Sequence, residues 1–182
     1  LGLPADGGEA VPWLEMAANQ GEAIAQAVLG DLYRLGRQLP ADPDKAMAWY
    51  RQAAERGQVQ AASALGLMLD QAGKLDEAVR WLRIGAEGGD DAAQYNLARS
   101  YRLGRGVPVD NAEQMLWLRR SAEQGNPAAM NGLGYAILIG LDGSYDYVEA
   151  TSWLLLAVER AEPGEVLSRA RVNLRDAEAQ LS

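Results

Sequence analysis

Neither cysteine nor histidine occurs anywhere in the 182 residues. Without cysteine the chain has no disulfide framework, no thiolate nucleophile and no zinc–thiolate site. Without histidine it has no Ser-His-Asp triad, no imidazole general base and no histidine-ligated metal. Basic side chains are also scarce, 17 Lys and Arg against 25 Asp and Glu, which gives a formal charge of −8. That balance argues against nucleic-acid binding through a broad basic face. Long hydrophobic runs are missing too. The longest apolar stretches, around Ala136 to Ile139 and Trp153 to Val158, fall far short of the ~20 residues that a spanning helix needs. Membrane insertion is therefore not expected. The chain opens on Leu1 instead of Met, as after signal-peptide cleavage or excision from a longer protein. The lack of cysteine is compatible with cytoplasm or periplasm.

What the sequence does contain is an internal period. The five tryptophans, Trp13, Trp49, Trp81, Trp117 and Trp153, are separated by 36, 32, 36 and 36 residues. Related segments start at each: WLEMAANQG, WYRQAAERG, WLRIGAEGG, WLRRSAEQG and WLLLAVERA. A second landmark, Leu29-Gly30, Leu65-Gly66, Leu97-Ala98 and Leu133-Gly134, runs in the same phase. Two independent landmarks in step define a repeat array. Each unit reads as two helices. The first carries apolar residues three and four apart, such as Leu29, Leu32 and Tyr33, on one face. The small residue after the leucine leaves room for a neighbouring helix. Gly36, Gly104 and Gly140 end first helices, and Asp42 and Asp110 stand where an N-cap acid would open the second. Gly57, Gly89 and Gly125 stop the second helices. One unit is four residues short, and Gly73-Lys74-Leu75 is expected to make a tighter turn there.

These residues resemble the Sel-1-like repeat family, a subgroup of tetratricopeptide-like α/α solenoids. The segment LARSYRLGRGVPVDNAEQMLWLRRSAEQGNPA, Leu97 to Ala128, carries the resemblance best. Departures are local: Ala98 replaces Gly, Gln114 takes the usual Ala position, and Leu69 and Ile137 replace Tyr. The resemblance implies an all-α, right-handed α/α superhelical solenoid of about four repeats plus an N-terminal half repeat and a C-terminal capping helix. The expected division of a single 1–182 repeat domain is 1–22 (partial), 23–58, 59–90, 91–126 and 127–162, with a capping helix at 163–182. The opening GLPADGGEA parallels Gln38 to Ala46, so the first residues read as the tail of a repeat. The repeating Trp, Leu and Tyr are expected to be core. In the last segment Leu167, Leu174 and Leu181 describe a one-sided helix.

Chemistry-bearing motifs are few. Asp142-Gly143-Ser144-Tyr145-Asp146 starts like a calcium loop, but Tyr147 and Trp153 stand where Gly and Glu are required, so a surface turn is expected. Gly132-Leu133-Gly134 lies inside a helix and follows no strand, so it is no phosphate loop. Asp90-Asp91 is expected to cap the following helix. No catalytic, metal or cofactor residue is assigned, and no enzyme activity is expected.

A binding surface remains. First-helix positions not used by the core should line an inner face. They are Asp31 and Arg34; Ser63, Leu67 and Asp70; Tyr95, Arg99 and Arg102; and Asn131, Tyr135 and Leu138. Unlike core positions they vary between units. Tyr95 and Tyr135 are aromatics the core does not need, and Tyr and Arg are enriched at interface hot spots. Arg99, Arg102 and Arg105 form a basic cluster suited to an acidic or C-terminal carboxylate group. The expected function is a non-enzymatic adaptor or scaffold binding a protein or peptide in a concave groove. Alternatives are an immunity or chaperone-like protein occluding a secreted effector, or a peptidoglycan or carbohydrate module using Tyr95, Tyr135, Asp31 and Asp70. A carboxylate-only hydrolase would need two acids at a set separation in a closed pocket. The resemblance to bacterial envelope and secretion proteins implies a periplasmic or otherwise exported location.

Overall fold

The computed structural model describes residues 10–181, and among them every helix or strand assigned is an α-helix. The helices are α1 (Ala10–Asn19), α2 (Ala23–Leu35), α3 (Pro43–Glu55), α4 (Val59–Gln71), α5 (Leu75–Glu87), α6 (Asp91–Leu103), α7 (Asn111–Glu123), α8 (Pro127–Leu138), α9 (Tyr147–Arg160) and α10 (Glu165–Glu178). The chain divides into two compact units, the first ending at Gly88 and the second beginning at Gly89. The opening segment Gly2 to Glu9 lies outside the described residues.

In the first unit α1 to α5 pack in chain order, each on the next. Asp42 opens α3 by accepting from the Lys45 backbone N–H at 3.0 Å, which satisfies one of the orphan donors of the first turn. Pro43 follows at the first helical position, where its missing N–H costs nothing. Gly36 closes α2 at φ 64°, left-handed backbone that a side chain disfavours. The shortened connection holds: α4 and α5 are separated only by Ala72, Gly73 and Lys74. The core is Leu29, Leu65 and Leu69, all fully buried, set among alanines such as Ala46, Ala62 and Ala78. Glycines bring the helices together. A Cβ on Gly30 would lie 2.7 Å from the Tyr50 ring, and one on Gly66 would lie 2.8 Å from Leu82 Cγ and 2.9 Å from its backbone nitrogen. Arg51 of α3 pairs with Glu77 of α5, linking consecutive second helices.

The second unit repeats these devices. Asp90, Asp110, Asn126 and Asp146 cap α6, α7, α8 and α9, and Gly104 closes α6 at φ 66°. Leu97, Leu133 and Leu154 are fully buried. Gly134 lets α9 approach, since a Cβ there would lie 2.7 Å from Leu154 Cγ. Arg119 pairs with Glu149 at 2.7 Å, the same rung as Arg51–Glu77 two repeats earlier. Helix α10 packs on both α8 and α9.

One expectation needs correction and a second needs refining. The tryptophans are not uniformly core. Trp117 is buried, Trp49, Trp81 and Trp153 are half-buried, and Trp13 is 71% exposed. Helix α1 packs on α2 and turns Leu14, Ala17 and Ala18 to the cluster that holds Leu29 and Trp49, which leaves Trp13 outside that contact. On α10 the face that carries the leucines is the buried one, but its alanines and not its leucines are sealed: Ala170 and Ala177, interleaved with them, are fully buried, whereas Leu167 and Leu174 are half-buried and Leu181 is exposed. Small residues face α8 and α9 because the helix approaches closely.

Gly66→Ala tests the close approach. Helix propensity alone would favour Ala by roughly 1 kcal/mol, but crowding against the α5 backbone costs about 1–3 kcal/mol. The urea midpoint is expected to fall at unchanged m-value; a rise would show that α4 and α5 separate freely.

Candidate functional site

The first helix of a repeat buries its Leu face against the following second helix, so its opposite side is free. In the second unit this leaves a groove of about 790 Å³ with α6 and α8 as two walls, α7 beneath and α10 as a third wall. Tyr95, Arg99 and Arg102 reach it from α6, and Asn131 and Tyr135 from α8. Five of the residues singled out from the sequence thus share one surface. Tyr135 is 46% exposed, and Tyr95 and Asn131 are half-buried. Leu138 and Arg105 do not line the groove.

The candidates in the first unit are placed differently. Arg34 Nε donates to the Tyr50 hydroxyl at 2.9 Å, and that hydroxyl donates to Asp31 Oδ1 at 2.7 Å. Arg34 Nη2 completes the triangle on Asp31 at 2.9 Å. Asp31 and Arg34 therefore anchor the buried Tyr50 ring that lies over Gly30. The Ser63 hydroxyl turns back to the Val59 carbonyl at 3.1 Å. Leu67 is exposed and Asp70 half-buried.

Several lining residues escaped sequence reasoning. Helix α10 contributes Ser168, Arg169, Val172 and Asn173; it lies beyond the last repeat landmark, so no periodicity set its register. Asn173 Nδ2 donates to Asn131 Oδ1 at 2.9 Å, tying that wall to α8. Gln114 of α7 lines the floor. Its signal was in the sequence, since it interrupts the series Ala46, Ala78 and Ala150.

Other acidic candidates are structural. Asp90 accepts from Ala93 N–H at 2.7 Å as the α6 cap. Asp142 accepts from the backbone N–H and hydroxyl of Ser144, closing a surface turn. Those bonds, the backbone one first, hold its carboxyl below the ordinary value. Among the described residues no cluster of three or more acids is placed to hold a metal ion, and no helix is long and apolar enough to cross a membrane.

Helical hairpins packed in chain order within each unit, with one set of buried leucines recurring in register, define an α/α repeat protein. The chain belongs to the Sel1 repeat family, whose profile matches residues 1–22, 23–58, 59–90, 91–126 and 127–161. Members of this family generally serve as non-catalytic scaffolds for protein–protein interaction. Among solved structures, the chain is similar to a protective antigen of uropathogenic Escherichia coli displaying an SLR fold. The TM-score is 0.85 at 31% identity, over 95% of this chain and 37% of the antigen. The chain thus spans little more than a third of that protein's length. A Sel1 repeat protein from Oxalobacter formigenes matches with a TM-score of 0.76 at 25% identity, over 96% of this chain and 78% of that one. No curated protein matches.

The Asp31–Arg34–Tyr50 triangle leads to a pH expectation. Burial first, then the hydrogen bond to Asp31, pushes the Tyr50 phenol from 10.0 up to about 12, with Arg34 opposing. Because the folded value lies above the ordinary one, the fold holds the neutral phenol. That contribution is complete below about pH 10 and is lost as pH rises toward about 12. The difference in Tm between the parent and Tyr50→Phe is expected to narrow as pH rises from about 10 toward about 12. A constant difference would show that Tyr50 does not carry it.

Proposed function

We propose that the chain is a non-enzymatic protein–protein interaction adaptor, and that the groove of the second unit receives a segment of the partner protein. The observation that carries this reading is the convergence of Tyr95, Arg99, Arg102, Asn131 and Tyr135 on one groove of about 790 Å³. These side chains come from the variable first-helix positions, while the invariant leucines are spent in the core. Two tyrosines on rigid helices offer large contact area at low ordering cost, and arginine adds directional donors. The family's general role in protein interaction supports the same reading. An exported location belongs to this proposal and rests on the family resemblance alone.

The test is retention of partner protein on the immobilised chain, comparing the parent with Tyr95→Ala/Tyr135→Ala and with Leu67→Ala in the first unit. Circular dichroism is expected to be the same for all three. Retention should fall at least about tenfold for the tyrosine variant, as for hot-spot aromatics, and hold for Leu67→Ala. Equal retention by the parent and the tyrosine variant would place the interface elsewhere.

A further inference from the structure

The third repeat departs from the others at a position on the groove floor. Three residues before Trp49, Trp81 and Trp153 stand Ala46, Ala78 and Ala150, at 0%, 1% and 0% exposure. The third repeat has Gln114 there. It is only 5% exposed, yet its side chain is not sealed: it lines the groove, and among the described residues Gln26 Oε1 alone is a buried side-chain polar atom without a partner. A carboxamide that opens on the groove is free to pair its donor and acceptor with a group that enters it. A primary amide presents an N–H and a C=O in one plane, the complement of a peptide group in an extended chain. The Asn131 carbonyl is used by Asn173, which leaves the Asn131 amide N–H groups as further donors.

Charge selects among peptides. Arg99, Arg102 and Arg169 line the groove and no carboxylate does, in a chain whose formal charge is −8. Arg169 is held only by an exposed pair with Glu165 one turn away, and such pairs yield readily to a better-placed carboxylate. Guanidinium groups bind carboxylates through two parallel hydrogen bonds.

Building on the adaptor reading, we infer that the groove takes an extended peptide segment bearing Asp or Glu side chains, with a backbone amide paired to Gln114 and the acids on the arginines. Gln114 is then the determinant that distinguishes this groove from those of other repeats. Gln114→Ala restores the residue the other repeats use, so it removes the pairing without threatening the fold.

A randomised nine-residue display library is selected on the intact immobilised chain, and selected peptides are then measured by fluorescence anisotropy. The expected consensus is rich in Asp and Glu, with binding weakened by added salt. Gln114→Ala should weaken these peptides about tenfold while its thermal midpoint stays level or rises. Arg102→Gln should weaken them as well. A merely structural Gln114 would instead lower the midpoint and leave affinity unchanged, overturning the inference. Peptides without acidic enrichment that are still lost on Tyr95→Ala would overturn the acidic reading while keeping the groove. Selected peptides insensitive to Tyr95→Ala and Gln114→Ala alike would overturn both.

Discussion

Each helical hairpin depends on how closely its first helix sits on its second. Where the first helix offers Gly30, Gly66 or Gly134, the second sets Tyr50, Leu82 or Leu154 directly over it, at distances no side chain would permit. That approach buries Leu29, Leu65 and Leu133 completely and gives a core assembled from leucine and alanine. Small residues do the same work on the other helices. Ala46, Ala78 and Ala150 are sealed, and α10 joins the second unit through Ala170 and Ala177. Such a core is made of many short contacts, so a single methyl added at the crossing is felt.

Polar interactions set register more than they add stability. The aspartate and asparagine caps fix where helices begin. The rungs Arg51–Glu77 and Arg119–Glu149 recur at equivalent places, but both partners are partly exposed, so each contributes little. The Asp31–Arg34–Tyr50 triangle differs because its tyrosine ring is also the large group seated on Gly30. Two residues that read as a binding surface are thereby committed to holding a helix crossing.

The groove follows from the same geometry. Once the leucine face of a first helix is buried, its other side is available, and in the second unit α10 beside α8 supplies the wall that encloses it. Ala98 and Gln114, the two places where the third repeat leaves the pattern of its neighbours, both border that groove. The groove of this acidic protein is lined by three arginines and no carboxylate, although Arg169 pairs with Glu165 one turn away, and such a lining favours partners of complementary sign.

The residue order alone determined the repeat, its helical pairs, the caps and the shortened turn, because each is a local rule: a period, a turn residue or a cap read within a few positions. It also picked out Tyr95, Arg99, Arg102, Asn131 and Tyr135, since a helix with one face assigned to the core has its remaining positions assigned by rotation. Only the tertiary structure decided which candidates lie together. Asp31 and Arg34 went to Tyr50, a residue of another helix whose nearness no spacing reveals. Trp13 lies exposed although it repeats Trp117, because burial depends on what packs outside a helix and not on its own sequence. The contribution of α10, and the opening of Gln114 onto the groove, emerge only when separate helices are brought side by side.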